Sequence, residues 1–326
     1  MSDKIDLTKN RDLEHIANEV RQWLQKDNSW VKRFSKYAKD IKDENDTITE
    51  IKENFHKSPN LNLYTCISDI KNKRINIRYK GQSVGYIKKD DKLKLQVNKT
   101  QKKRFNLEDK LHLEEELNCD WDSPEATKFR KYFSQDIESK GQLEHRFESM
   151  LIEEFAKRNS KDKELCYIQP VRIYNELAFQ MTTALKASDK EIRMATNARA
   201  GGIDILARIK HGAETNLCVI ELKKDVLKDD KHADIVRTQG LAYAVFLREL
   251  LRSSCGEEWY KIFGYSGKIP EKLTINVCIA MPEGEYKPKV EPKDIKIGND
   301  ILIFKSLFFE TKETITSIKT NLFSKE

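Results

Sequence analysis

Between Gly201 and Lys224 the sequence reads GGIDILARIKHGAETNLCVIELKK, two β-branched apolar runs that each carry charge where a buried strand should have none. A strand covered on both faces reads as a near-continuous apolar run, because a charge on a core face must be paired or bound. Asp204 stands inside the first run, and Glu221 and Lys223 end the second. Residues two apart on a strand share a face, so Glu221 and Lys223 point the same way. Seventeen positions separate Asp204 from Glu221, which suits a hairpin that brings the two carboxylates together. Gly201 and Gly202, just before Asp204, read as a tight turn where a substrate backbone can approach. The plain alternative is a salt bridge across a hairpin edge.

The rest of the chain bounds what such a hairpin can belong to. At 326 residues the length suits two domains better than one. Hydrophobic residues make up 38% and aromatics 9%, enough to bury a core. Charged residues make up 35%, and a net charge of +7 is a mild lean toward polyanions. A lysine-rich solubilising surface accounts for the same charge. The cysteines Cys66, Cys119, Cys166, Cys218, Cys255 and Cys278 are nowhere closer than 23 residues, which excludes a local zinc or iron–sulfur spacing. No apolar stretch approaches the ~18 residues of a membrane span, and the charged N-terminus carries no signal-like segment. The expectation is a cytoplasmic protein with reduced thiols and no membrane partner.

Periodicity divides the chain near residue 135. Leu13, Ile16, Val20 and Leu24 recur at helical spacing, and Trp30, Phe34, Tyr37 and Ile41 continue it. From Leu61 to Phe105 the period falls toward two, with turns at Lys80-Gly81 and Asp90-Asp91. Ser123-Pro124 reads as an N-cap and first helical position. Beyond the connector come a helix in QLEHRFESMLIEEFAKR, the 201–224 pair, a long helix in HADIVRTQGLAYAVFLRELLR, and late strands in KLTINVCIAMP and DILIFKSLFF. The expected architecture is therefore α/β. A helical and antiparallel-β domain (1–135) precedes a mixed sheet flanked by helices (136–326). In the first domain Lys71, Lys73, Arg74, Arg78, Lys80, Lys88, Lys89, Lys99, Lys102, Lys103 and Arg104 interleave with Tyr79, Tyr86 and Phe105. That pattern suits nucleic-acid backbone contact with stacking, and equally the protection of strand edges by lysine. A protein partner or self-association stays open for its charged helices.

The carboxylates and the lysine make chemical sense around a divalent cation. Mg²⁺ (or Mn²⁺) takes hard oxygen ligands, uses few carboxylates, and leaves positions for water and phosphate oxygens. Such an ion polarises a phosphodiester and acidifies the attacking water. Lys223 then positions or deprotonates that water, with its pKa depressed by burial and by the metal. Gln239 and Tyr243, one helical turn apart in RTQGLAY, present two hydrogen-bonding groups on one face, fit to hold a phosphate or orient the lysine. Arg199 and Lys224 flank the hairpin and are candidates to line a phosphate path; for Lys228 and Lys231 a solvated helix start accounts equally well.

These residues resemble the PD-(D/E)xK, or restriction-endonuclease-like, phosphodiesterase superfamily, in the branch that carries QxxxY. The resemblance covers roughly residues 140–280. Its order is a helix with an acid (Glu144), a strand with Asp (Asp204), a strand ending in (D/E)xK (Glu221, Lys223) and a helix with QxxxY (Gln239, Tyr243). Ile203 replaces the proline of the formal motif, and Glu148 is the alternative to Glu144 one turn on. The resemblance implies a restriction-endonuclease-like fold and a metal-dependent nuclease, most plainly on DNA. Glu144, Asp204 and Glu221 would be its Mg²⁺ ligands, and the product would carry a 5′-phosphate. The superfamily also holds inactive members, so a catalytically silent nucleic-acid-binding or scaffold module is the alternative. A chance match on an unrelated α/β protein is a third.

Overall fold

A computed structural model of the chain describes residues 4–7, 12–55, 60–111, 116–137, 143–157, 165–174, 177–195, 201–212, 214–286, 288, 291–312 and 314–323. The architecture is mixed α/β, in two units that interleave along the sequence. The larger comprises Met1–Ala38, Leu151–Val171 and Gln180–Glu326, the smaller Lys39–Met150 and Arg172–Phe179. The expected boundary near residue 135 is thereby corrected: the first helix and most of the second belong with the C-terminal half.

The larger unit contains strands β1 (Lys4–Asp6), β2 (Ile168–Pro170), β3 (Leu185–Ala187), β4 (Glu191–Met194), β5 (Ile205–His211), β6 (Glu214–Leu222), β7 (Thr274–Pro282), β8 (Ile295–Ile297), β9 (Asp300–Thr311) and β10 (Ile315–Thr320). Its helices are α1 (Leu13–Lys26), the start of α2 (Ser29–Asp43), the end of α3 (Leu143–Phe155), α4 (Asp230–Arg252) and α5 (Gly256–Ile262). The main sheet runs β8-β9-β7-β6-β5-β2, with β10 on β9. β2, β5 and β6 form an antiparallel meander, and β6 then lies parallel to β7, which is parallel to β9. A parallel neighbour needs a crossover, and α4 supplies it between β6 and β7. Central position explains the apolar run of β7: Ile275 to Met281 are buried without a break. A second sheet, β1-β4-β3, is built on the hairpin of β3 and β4.

Helix α4 is buried on almost every side from Val236 to Leu251. One side faces the sheet, and α1 covers another with its stripe of Ile16, Ala17, Val20, Trp23 and Leu24. Aromatic contacts finish the layer. Phe246 meets Trp30 at 5.5 Å and Phe34 at 5.0 Å between ring centroids, and Trp259 Nε1 donates to Phe34 O at 3.2 Å. Residues 13–38 are thus the outer cover of α4, which is why they belong to this unit and not to an N-terminal domain.

In the smaller unit the strands Leu117–Asp120, Leu93–Val97, Gln82–Lys89, Arg74–Tyr79, Leu61–Cys66, Leu177–Gln180 and Arg172–Ile173 lie in that order. The Lys80-Gly81 turn forms as expected, both residues having positive φ (45° and 77°), as a two-residue hairpin requires. Ser123 caps the helix Pro124–Phe133 through the Ala126 amide at 3.2 Å. The expected stacking aromatics are corrected. Tyr79 is fully buried and Phe105 is 4% exposed, both in a cluster with Phe133. Several of the cations are already engaged: Lys80 with Asp136, Lys88 with Asp90, Lys89 with Glu50, Lys73 with Glu44, and buried Lys102 with Glu108. Arg74 and Arg78 lie over Tyr86 and Tyr64.

One buried charge network ties α4 to the far edge of the main sheet. Asp300, 2% exposed, accepts from Arg248 Nε at 2.7 Å, Arg252 Nε at 3.2 Å and the Leu273 amide at 2.9 Å. Burial works to raise the Asp300 carboxyl, but the bonds from Arg252, the Leu273 amide and Arg248 hold it below the usual range. Asp300→Asn leaves two arginines facing an uncharged partner and should cost about 3 kcal/mol of unfolding free energy near neutrality. Because the folded-state pKa is depressed, this contribution is present above the unfolded-state value and disappears as pH falls through the folded one. Denaturant titrations of both proteins should therefore differ most at neutral pH and draw together only as pH falls from about 4 through the lower folded-state value.

Candidate active site

The register of the β5–β6 hairpin brings the two carboxylates together. Ile205 pairs with Ile220 at its open end, so Asp204 stands just before β5 begins and Glu221 just beyond Ile220, where β6 ends. Asp204 Oδ2 accepts the Leu222 amide at 2.8 Å, and the Lys223 amide donates to Ala280 O of β7 at 3.0 Å. Glu221 is 5% exposed, and its Oε1 accepts from Lys223 Nζ at 2.9 Å.

Helix α4 brings Gln239 and Tyr243 to the same place. A Cβ on Gly240 would sit 3.1 Å from Val277 Cγ1 and 3.6 Å from Glu221 Cβ, so the missing side chain lets the helix backbone settle onto β6 and β7. Gln239 and Tyr243 are both buried. Each grips the β3–β4 hairpin: Gln239 Nε2 donates to Asp189 Oδ1 at 2.8 Å, and Tyr243 Oη accepts the Ala187 amide at 3.3 Å. Asp189 Oδ1 is also 4.0 Å from Lys223 Nζ. Asp189 is the group that sequence reasoning missed. It sits in a polar turn, ASDKE, whose spacing to Asp204 or Glu221 carries no signal.

Charge sets the protonation state of the lysine. Burial pushes the Lys223 ammonium down, but Glu221 beside it, with Asp204 and Asp189, outweighs burial and holds its pKa above the ordinary lysine value. The expected depression by burial is thus corrected, and Lys223 stands as a charged donor. Burial, then the Glu221 charge, raise the Tyr243 phenol against the Ala187 hydrogen bond, and Asp204 adds to the rise. Tyr243 stays protonated at neutral pH.

The glycine pair is likewise reassigned. Gly201 and Gly202 are not a turn open to substrate. They run alongside residues 181–185, through Thr183 N to Gly201 O at 2.9 Å, Gly201 N to Leu185 O at 2.8 Å and Ile203 N to Met181 O at 2.9 Å. A Cβ on Gly201 would lie 2.5 Å from Tyr243 Oη, and one on Gly202 would lie 3.0 Å from Gln180 Nε2. The room they leave is filled by those side chains.

Of the helix acids, Glu148 is 3% exposed and accepts from Tyr64 Oη at 3.0 Å and Arg78 Nη1 at 3.4 Å, all within the smaller unit. Glu144 is half-buried in the first turn of α3, also in the smaller unit. Arg199 lies outside the described residues. Lys224 is exposed directly after the hairpin, as are Lys228 and Lys231 beyond it. Gln169 is exposed and accepts from Arg208 Nη2 at 3.4 Å.

Asp204 and Glu221 fit a divalent cation in donor chemistry: hard oxygen donors at the β5–β6 strand end, with half-buried Lys223 and buried Tyr243 close by. Among the described residues no group of three or more His, Cys, Asp or Glu is arranged to hold a metal ion. Among them also, no helix is long and apolar enough to cross a membrane. Comparison of the chain with protein-family models, curated proteins and solved structures gave no match.

The close approach at Gly201 yields a test of this geometry. Gly201→Ala should destabilise the protein by about 1–3 kcal/mol through overpacking against Tyr243 Oη and Leu185 O. Adding Tyr243→Phe removes one of the two clashing atoms. Denaturant melts of the double-mutant cycle should then show the pair less costly than the sum of the singles.

Proposed function

We propose that the protein is a metal-dependent nuclease of the PD-(D/E)xK type. The single observation that carries the reading is the cluster at the end of β6, where Asp204 takes the Leu222 amide, Lys223 is bonded to Glu221, and both carboxylates act on Tyr243 of the next helix. The element order supports it. Helix α3 is followed, after several short strands, by β5, β6, helix α4 and then β7 parallel to β6, with Asp204 just before β5, Glu221 on β6, Lys223 just after it, and Gln239 and Tyr243 on α4.

Asp204 and Glu221 are the residues to hold Mg²⁺ or Mn²⁺. When bound, such an ion supplies Lewis-acid polarisation of the phosphodiester and a more acidic water. The chain's own contribution is electrostatic and positional. Lys223, protonated, offers N–H donors to the phosphoryl oxygens on which charge builds as water oxygen bonds to phosphorus and the P–O3′ bond breaks. The products are a 5′-phosphate and a 3′-hydroxyl. Tyr243 and Gln239 hold the hairpin that walls the site, and exposed Lys224 lies where a substrate backbone passes. DNA is the substrate put first.

A second reading, a silent nucleic-acid-binding or scaffold module, is favoured by one observation. Asp204 and Glu221 each already have a hydrogen-bond donor from the protein, the Leu222 amide and the Lys223 ammonium.

The experiment that separates the two is cleavage of labelled linear, circular and single-stranded DNA, and of RNA, with Mg²⁺, Mn²⁺ or EDTA. Wild type should cut with either metal and stop in EDTA. Asp204→Asn, Glu221→Gln and Lys223→Ala should each lose about a hundredfold or more in rate. Glu148→Gln, which removes the charge facing Tyr64 and Arg78, should lower stability first. Absence of cutting on all four substrates, with no Mg²⁺ uptake by calorimetry, would favour the silent module.

A further inference from the structure

The turn between β3 and β4 presents Asp189 to two of the residues just described, and the proposed mechanism leaves it without a role. Its carboxylate oxygen takes the Gln239 amide at 2.8 Å and stands 4.0 Å from Lys223 Nζ. The partners differ sharply in exposure. Gln239 is 1% exposed, whereas the Asp189 side chain is 75% exposed. A buried glutamine amide has two orientations of nearly equal shape, one presenting NH₂ and the other the carbonyl. A carboxylate accepts hydrogen bonds and donates none, so Asp189 admits only the orientation with NH₂ toward it. The Gln239 carbonyl is thereby fixed at the other end. For Lys223 the carboxylate is a second negative group opposite Glu221, so the ammonium is drawn between two charges and not to Glu221 alone.

We propose that Asp189 is a positioning residue of the active site: it locks the orientation of the Gln239 amide and, with Glu221, sets the direction of the Lys223 ammonium. This rests on the nuclease reading. Tyr243 serves the same hairpin one helical turn along α4, where its oxygen takes the Ala187 amide. The pair Gln239 and Tyr243 therefore latches one hairpin at two points, and the hairpin returns an acid to the site. The energy of the exposed Asp189–Lys223 pair is small in water, so Asp189 contributes little to folding and its effect belongs to the rate.

Asp189→Asn separates positioning from mere bonding, because asparagine keeps the size but can donate or accept and so admits both orientations of Gln239. Steady-state cleavage by wild type, Asp189→Asn and Asp189→Ala would be measured with thermal melts. In parallel, the Gln239 side-chain amide would be followed by NMR after selective ¹⁵N-glutamine labelling, assigned with Gln239→Ala. The expected result is a fall in kcat of about 10- to 100-fold in both Asp189 variants, with KM within about twofold. The melting midpoint should move by no more than about 2 °C, and the Gln239 amide signal should shift in both. Asp189→Asn retaining wild-type kcat overturns the proposal, as does a rise in KM at constant kcat, which would make Asp189 a substrate contact. Should wild type itself cut nothing, the nuclease reading fails and takes the catalytic role with it. The amide signal then decides the lock by itself, an unmoved signal overturning that as well.

Discussion

A carboxylate 5% exposed at the end of a central strand is the constraint on which the larger unit turns. Burying Glu221 alone costs several kcal/mol, and one ion pair does not reliably repay that unless further groups satisfy the remaining charge. The fold answers with geometry. Lys223 follows on the same face, bonded at 2.9 Å, and Asp189 lies beyond it, so the lysine is shared and not consumed. The arrangement requires β6 to end where it does, because a one-residue shift of the hairpin would turn Glu221 to the opposite face of the sheet. Ile205 paired with Ile220, and Leu222 N bonded to Asp204, fix that register from both sides.

Helix α4 carries the consequence outward. To reach Glu221 with Gln239 and Tyr243 it must lie close on β6 and β7, which Gly240 allows, and a helix so placed has apolar residues on its outer side as well. Ala242, Val245, Phe246, Leu250 and Leu251 are all buried. An all-round apolar helix needs a second cover, and α1 with the aromatic pair Trp30 and Phe34 supplies it. The N-terminal helices and the site are therefore parts of one packing problem, solved from the two ends of the sequence.

That distance in sequence explains what could be read in advance. The hairpin, the α4 helix, the Lys80-Gly81 turn and the Ser123 cap are all local: each follows from periodicity or turn chemistry within a few residues. Which half covers α4 is not local, because the amphipathic stripe of Leu13 to Leu24 states that a face is buried but not against what. Tyr79 and Phe105 show the same limit. Alternation marks a half-buried strand without saying which face is inward, so core aromatics read as a stacking surface. Asp189 was invisible for another reason: an acid in a polar turn is the commonest residue in the commonest place, and only the hairpin's contact with α4 gives it meaning. The Lys223 pKa runs against its expected direction because the charge and hydrogen bond of Glu221, then Asp204 and Asp189, outweigh the burial that the apolar run made visible.

The balance of charge at the centre links these points to the proposed chemistry. Asp189, Asp204 and Glu221 place three carboxylates around the Lys223 ammonium. On the nuclease reading, a hard divalent cation at Asp204 and Glu221 would compete with Lys223 for Glu221. Competition of this kind has a use. Were Glu221 to hold a cation, Lys223 would stand between Glu221 and Asp189 with its charge available to a phosphoryl group. In a silent module there is no such exchange, and the Lys223–Glu221 bond is simply the structural cost of ending a buried strand with an acid. The two readings thus assign the same 2.9 Å contact opposite meanings, a resting position in one and a final one in the other, and the mobility of the lysine between Glu221 and Asp189 is the physical quantity that separates them.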